Sequence, residues 1–215
     1  MQPLTIARLK RNSRVLGPGC RAIIWTHGCS KRCPHCIARD IHEAPPQATH
    51  TPATLYEWLK GIDGIEGVTL SGGDPFEQNI EALETFLRLV KNDPRQLSVM
   101  CYTGKLMAEL QNDVRFANIL KHIDILVDGP YVHELNDGHR WRGSSNQRIY
   151  SLNDKYTNIV HEAENCFDRE IEIDLSADMR LQLTGIPHDG FMKDLARKLY
   201  ERGYSLADCP DRRNV

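Results

Sequence analysis

Three cysteines lie close together in the stretch GCSKRCPHCIARD, residues 28–40: Cys29, Cys33 and Cys36. Thiols at this spacing, in a chain without a recognisable export signal, are typical of metal ligands rather than of disulfides. A tetrahedral metal ion needs four ligands, so three thiolates leave one coordination position open. The chemistry that this spacing offers is a metal centre that can bind a ligand from outside the protein.

Two kinds of metal centre fit the triad. A structural zinc ion would take a histidine as its fourth ligand, and the neighbouring candidates are His27, His35 and His42. A 4Fe-4S cubane would use three thiolates for three irons, and its fourth iron would bind an exogenous ligand through nitrogen and oxygen. The spacing alone leaves both centres open.

The other cysteines occur singly along the chain, and we expect them to be incidental thiols that pack as small hydrophobic side chains. They are Cys20, Cys101, Cys166 and Cys209.

The composition predicts a globular chain without a strongly charged partner. At 215 residues and 40% hydrophobic content, it suits one sizeable domain with at most a small appendage. The formal net charge of -2 gives no electrostatic reason to expect nucleic acid or an anionic membrane as a partner. Neither a signal peptide nor a membrane-spanning segment is recognisable, so we expect a cytoplasmic protein.

Strands alternate with helices along the first part of the chain. The apolar runs predict buried strands at 21–28, 67–75, 96–104 and 124–132. Helical periodicity predicts helices at 51–62 and 79–92, and one or two short helices in 105–122. This alternation is typical of parallel βαβ units, whose ligands bind at the carboxyl ends of the strands. We therefore expect four strand ends to converge on one site: the cysteine loop, Gly72-Gly73, Thr103-Gly104 and Asp128-Gly129.

The character of the chain changes after residue 152. The stretch 171–187 alternates apolar and polar residues on both sides of SADM, which is typical of an antiparallel hairpin. The stretch 189–203 carries apolar residues on one helical face and ends at Gly203, the expected C-cap. We predict a core over residues 1–152 and a C-terminal extension, residues 153–215, in which a hairpin and a helix pack on the core.

The cysteine motif and three further stretches carry a family resemblance. CxxxCxxC resembles the motif of the radical S-adenosylmethionine (SAM) enzymes, in which the fourth iron binds the amino and carboxylate groups of SAM. The further stretches are GPGCRAIIWTHGC, LSGGDP (70–75), and VDGPYV followed by WRGSSNQR (141–148). In order and spacing they are similar to the anaerobic ribonucleoside-triphosphate reductase activating proteins, relatives of the pyruvate formate-lyase activating enzyme. The resemblance covers residues 8–152.

The resemblance implies a fold, cofactors and a reaction. The fold would be α/β, an incomplete TIM-type barrel of parallel strands, because the chain is too short for eight units. A 4Fe-4S cluster on Cys29, Cys33 and Cys36 would bind SAM. One electron from a donor such as flavodoxin would cleave SAM to methionine and a 5′-deoxyadenosyl radical. This radical would take a hydrogen atom from a glycine of a partner, a glycyl radical enzyme such as anaerobic ribonucleotide reductase.

The resemblance also implies residues that contact SAM. His35, Cys36 and Ile37 would lie against its adenine and ribose. Gly72 and Gly73 would let the backbone come close to the ligand.

Charged side chains at the strand ends supply further candidates. Asp74 would accept a hydrogen bond from the SAM ammonium group. Asp128 would bind the ribose hydroxyls or organise the cavity, although an aspartate that only forms a turn would serve equally well at this position. Arg142 and Arg148 would meet the SAM carboxylate or the backbone of the partner.

Two departures from the family pattern leave alternatives open. The extension has no clear counterpart in the short reductase activating proteins, and His35 stands where a small or aromatic residue is expected. One alternative is a radical SAM enzyme that acts on another peptide or on a small molecule. The other is a zinc-stabilised binding module without catalysis.

Overall fold

A seven-stranded sheet forms the centre of the computed structural model, which describes residues 2–39, 41, 48–175 and 181–205. Its strands are β1 (Leu4–Ser13), β2 (Arg21–Thr26), β3 (Ala48–His50), β4 (Gly67–Gly72), β5 (Ser98–Tyr102), β6 (Ile125–Asp128) and β7 (Arg148–Ser151). Their order across the sheet is β3-β1-β2-β4-β5-β6-β7.

The four predicted strands, β2, β4, β5 and β6, lie side by side and are parallel. The outer strands β1, β3 and β7 were not predicted, and each of them pairs antiparallel to its neighbour. Within the described residues no pairing joins β3 to β7, so the sheet is open and no closed barrel forms. The α/β class is confirmed.

Within the described ranges, six helices accompany the sheet. They are α1 (Pro52–Lys60), α2 (Ile80–Lys91), α3 (Met107–Asn112), α4 (Val114–Leu120), α5 (Thr157–Glu164) and α6 (Phe191–Tyr200). The two long predicted helices begin at side-chain caps, since Thr51 accepts a hydrogen bond from the Thr54 amide and Asn79 accepts one from the Ala82 amide. None of the described helices is long and apolar enough to cross a bilayer.

Both faces of the sheet are buried, which explains why its parallel strands are continuous apolar runs. On one face, strand residues such as Ile24 and Leu70 pack against α1, α2 and α4. On the other face, Met100 and Val127 pack against Trp141 and residues of α5. The predicted boundary at residue 152 falls between β7 and α5, and the division into two domains stays a prediction.

The extension contains the predicted hairpin and helix. Strands β8 (Ile171–Leu175) and β9 (Leu181–Gly185) pair antiparallel and form a separate two-stranded sheet, and α6 follows. Gly203 has a φ of 82°, in the left-handed region expected after the end of a helix. The SADM stretch, His42 and Cys209 lie outside the described residues.

Candidate functional site

A cavity of about 700 Å³ lies at the carboxyl ends of the four parallel strands. It is lined by the cysteine loop after β2, by Gly72, Gly73 and Asp74 after β4, by Thr103 and Gly104 after β5, and by Gly129 after β6. The four segments that were expected to converge therefore meet at one place.

The three cysteines Cys29, Cys33 and Cys36 all line this cavity and are half-buried. Burial raises the pKa of the Cys29 thiol, an effect that backbone hydrogen bonds from Lys31 and Arg32 oppose. Among the described residues, no group of three His, Cys, Asp or Glu side chains is arranged to hold a metal ion. In a cubane each thiolate binds a different iron, so cluster ligands need not converge on one ion. Three thiols on the wall of one cavity of this size therefore fit the ligands of a 4Fe-4S cluster.

The turn after β4 packs directly against the start of the cysteine loop. The Gly73 amide donates to Thr26 O at 2.8 Å, and the Asp74 amide donates to Gly28 O at 2.9 Å. A Cβ at Gly73 would lie 2.2 Å from Gly28 O, so only glycine fits there. The predicted glycine pair thus brings two backbone segments together beside the cavity.

Glu77 fastens the cysteine loop from the other side of this turn. Its carboxylate accepts hydrogen bonds from the amide of Ser30, at 2.8 Å, and from the Ser30 hydroxyl. Ser30 lies between Cys29 and Cys33, so Glu77 positions the segment that joins two of the thiols. Glu77 was not predicted; its place three residues after Asp74 of the Gly-Gly-Asp motif was the available signal.

Asp74 is almost fully buried at the cavity wall, with 2% of its surface exposed. Its carboxylate accepts hydrogen bonds from the Phe76 amide, the Thr103 hydroxyl and the Gly104 amide. Burial raises the pKa of Asp74, and these hydrogen bonds oppose the increase. Thr103 was named only as part of a strand end, yet it holds the carboxylate in place.

An aromatic group extends from the cysteine loop along the cavity. The ring of His35 lies on the ring of His133, with 4.5 Å between centroids, and the Tyr131 hydroxyl lies 3.1 Å from His133 Nδ1. All three residues line the cavity, as does Ile37, whose side chain is 52% exposed. Neither Tyr131 nor His133 was predicted as a site residue, although Tyr131 belongs to the VDGPYV stretch and His133 directly follows it.

Asp128 lies behind the cavity wall. Its two carboxylate oxygens accept hydrogen bonds from the backbone amides of Met107, at 2.7 Å, and Arg148, at 3.2 Å. Unlike Asp74, Asp128 does not line the cavity, and it is 3% exposed. This position favours the expectation that Asp128 organises the cavity over direct contact with a ribose.

The two predicted arginines lie away from the cavity. Arg142 pairs with Asp137 at 2.7 Å, and Arg148 is exposed at the start of β7. Within the described part of the chain, neither side chain contributes to the cavity lining. Of the scattered cysteines, Cys101 is buried in the core, as expected of an incidental thiol, and Cys20 and Cys166 are half-buried.

Comparisons with known proteins agree with the cysteine chemistry. A family model described as a 4Fe-4S single cluster domain matches residues 15–150. The chain belongs to this 4Fe-4S family. The matched segment contains all three cysteines of the loop and ends before the extension begins.

Relatives of this 4Fe-4S protein carry one name, anaerobic ribonucleoside-triphosphate reductase-activating protein. That of Enterobacteria phage T4 is 33% identical over 143 residues, which are 65% of this chain and 89% of the relative. That of Pasteurella multocida is 32% identical over 142 residues, 63% of this chain and 90% of the relative. That of Escherichia coli is 28% identical over 144 residues, 64% of this chain and 92% of the relative. The predicted resemblance to these activating proteins is confirmed.

Proposed function

We propose that this 4Fe-4S protein activates an anaerobic ribonucleotide reductase by generating a glycyl radical on it. In this proposal Cys29, Cys33 and Cys36 hold a 4Fe-4S cluster, and SAM binds beside it in the cavity. The observation that supports the proposal most directly is that the three thiols and the ends of four parallel strands line one cavity. The names of the relatives point to the partner.

The chain's own residues would hold the reactants and keep water away. A 4Fe-4S cluster held by Cys29, Cys33 and Cys36 would supply one-electron reduction of SAM, the chemistry needed to form a glycyl radical on the reductase. Glu77 and Gly73 would keep the cysteine loop in position. Asp74 and its neighbouring glycines would bind the amino acid part of SAM, and His35 with Ile37 would border the nucleoside.

Three finer predictions belong to the same proposal. The open sheet would be an incomplete TIM-type barrel whose missing units leave access for a protein substrate. A one-electron donor such as flavodoxin would reduce the cluster. The reaction would take place in the cytoplasm.

Electron paramagnetic resonance of the reconstituted protein tests the cofactors. After anaerobic reconstitution and reduction, we expect a 4Fe-4S signal that changes when SAM is added. Cys33→Ala should lose both the iron and the signal, whereas Cys166→Ala should keep both. A spectrum that SAM does not alter, or a chain that binds zinc instead of iron, would contradict the proposal.

Product analysis tests the reaction. With reductant and SAM, the reconstituted chain should form 5′-deoxyadenosine, and adding the reductase should produce a glycyl radical signal on that partner. Formation of 5′-deoxyadenosine without any glycyl radical would instead favour another substrate.

A further inference from the structure

One wall of the candidate site comes from the extension, outside the segment that the family model matches. Every residue from Leu181 to Lys193, together with Ala196, lines the cavity that the three cysteines line. The matched segment ends at residue 150. We call residues 181–196 the extension wall.

The extension is fastened to the core at two places. On one side, Lys10 of β1 forms ion pairs with Glu172 and Asp174 of β8, and the Arg14 amide donates to Glu172 at 2.8 Å. On the other side, the guanidinium of Arg169 donates hydrogen bonds to residues of the loop before β7. The acceptors are Asn136 Oδ1, His139 O, Arg142 O and Gly143 O. These contacts hold the extension wall beside the cysteine loop.

The edge of β9 faces the cavity. Successive side chains of a strand point to opposite faces, so a cavity that touches every residue from Leu181 to Gly185 meets the strand along its edge. In the described residues β9 pairs only with β8, which leaves its other edge without a strand partner. An edge of this kind binds an extended polypeptide through backbone hydrogen bonds.

The start of α6 adds apolar surface to the same wall. None of the residues of α6 is fully buried, and its apolar residues Phe191, Met192 and Ala196 are half-exposed and line the cavity. Leu181 on β9 is 41% exposed and also lines it. An open strand edge beside exposed apolar side chains suits a peptide segment better than a small polar molecule.

We propose that the extension wall is the docking surface for the glycine-bearing segment of the reductase. This inference rests on the proposed function. Transfer of a hydrogen atom requires the reacting atoms to come within about 3–3.5 Å, so the glycine must enter the cavity. A segment that enters there passes the extension wall, which forms one side of the cavity. Because the extension wall lies outside the segment that the family model matches, this chain would recognise the reductase through residues beyond that family domain.

Binding of the reductase to the full-length chain tests the proposal with two matched pairs of variants. Phe191→Ala removes an aromatic side chain at the cavity, and Tyr200→Ala removes one that is 78% exposed on the same helix and outside the cavity lining. Leu181→Ser and Leu175→Ser change cross-strand partners of the hairpin, of which only Leu181 lines the cavity. All four positions are at least partly exposed, so folding should tolerate the changes.

Three quantities are measured for each variant: the dissociation constant for the reductase, the 5′-deoxyadenosine formed without reductase, and the iron content. We expect Phe191→Ala and Leu181→Ser to weaken binding about tenfold, as for a residue in the centre of an interface. Both should leave partner-free cleavage of SAM and iron content within about twofold of the wild type. Tyr200→Ala and Leu175→Ser should match the wild type in all three measurements.

Several outcomes would overturn the proposal. The first is unchanged binding by both cavity variants, and the second is an equal loss of binding and of partner-free cleavage, which would assign the wall to SAM or to a small molecule. A wild-type chain that fails to bind the reductase would overturn it as well. By contrast, a wild type that binds the reductase but forms no 5′-deoxyadenosine would refute the proposed function and leave the docking surface standing.

Discussion

The hydroxyl of Thr103 donates a hydrogen bond to the buried carboxylate of Asp74, with 2.9 Å between Thr103 Oγ1 and Asp74 Oδ1. This contact joins the turn after β4 to the residue that directly follows β5. It fixes Asp74 at the cavity wall in a conformation that its own short turn would not determine alone.

Replacing Thr103 tests this contact. Thr103→Val keeps the shape but removes the donor, so the Asp74 carboxylate loses one hydrogen bond and its pKa should rise further. We expect a loss of about 1–2 kcal/mol in the free energy of unfolding. We also expect weaker SAM binding by the reconstituted protein with its iron content retained. Thr103→Ser restores the donor, so it should recover most of the lost free energy of unfolding and most of the lost SAM affinity. If valine and serine give the same SAM affinity, the hydroxyl does not position Asp74.

The close approach at Gly73 makes a second prediction. Gly73→Ala would place a Cβ 2.2 Å from Gly28 O, so the turn must move away from the cysteine loop. We expect the variant to bind much less iron on anaerobic reconstitution. Gly61→Ala is the matched control. Gly61 has a φ of -74°, and a Cβ added there would lie 3.5 Å from its nearest neighbour, Trp58 O. Full iron loading of Gly73→Ala would contradict the tight packing of these two segments.

Asp93 gives a prediction for the pH dependence of stability. It pairs with Arg95 at 2.8 Å and accepts a hydrogen bond from the Tyr56 hydroxyl, and the bonds from Arg95 lower the pKa of Asp93 to about 2. Because the folded pKa lies below the ordinary value, the stabilisation is present above pH 4 and is lost as the pH falls toward about 2. Asp93→Asn should therefore cost about 2 kcal/mol at pH 7.

Urea unfolding at several pH values measures this effect. The difference in the free energy of unfolding between wild type and Asp93→Asn should shrink steadily below pH 4. Asp113→Asn is a suitable control, since Asp113 pairs with Arg115 at the surface. The stability of this variant should stay close to that of the wild type. If Asp93→Asn lowers the free energy of unfolding by the same amount at every pH, the ionised carboxylate is not the stabilising group.

Arg169 is expected to hold the extension on the core. Its side chain is 5% exposed and serves several backbone carbonyls, so Arg169→Leu leaves those acceptors without a donor. We expect a loss of about 3 kcal/mol in the free energy of unfolding. Limited proteolysis should cut the variant faster after residue 165 than before it. Arg197→Leu, which breaks only exposed ion pairs on α6, should behave as the wild type. Equal protease resistance in both variants would show that Arg169 is not needed for attachment.

The sequence was sufficient for the parallel part of the fold and for the cysteine loop. Buried parallel strands are continuous apolar runs, and glycine turns mark their carboxyl ends, so β2, β4, β5 and β6 were recognisable. Strand β1 was missed because its register shifts between Ile6 and Arg8 and between Lys10 and Ser13, which disturbs the regular alternation of its side chains. Strand β7 was missed because it has only four residues and follows a polar loop.

The cavity was predictable only in part. The strand-end segments were expected to converge because parallel strands end at one edge of the sheet. Contacts between distant parts of the chain could not be predicted from the spacing of residues. They include the contact of the His35 and His133 rings, and the hydrogen bonds of Thr103 with Asp74 and of Glu77 with Ser30. The position of the extension wall depends on contacts such as that between Lys10 and Glu172, which are far apart in sequence.

The ionic attachment of the hairpin to β1 is sensitive to salt. Lys10 meets Glu172 and Asp174 near the surface, where the acidic side chains are 30% and 53% exposed. Dissolved ions screen such charges over about 8 Å at physiological ionic strength, but they have little effect on the buried hydrogen bonds of the parallel sheet. Added salt should therefore loosen this contact, while the cysteine loop keeps its shape.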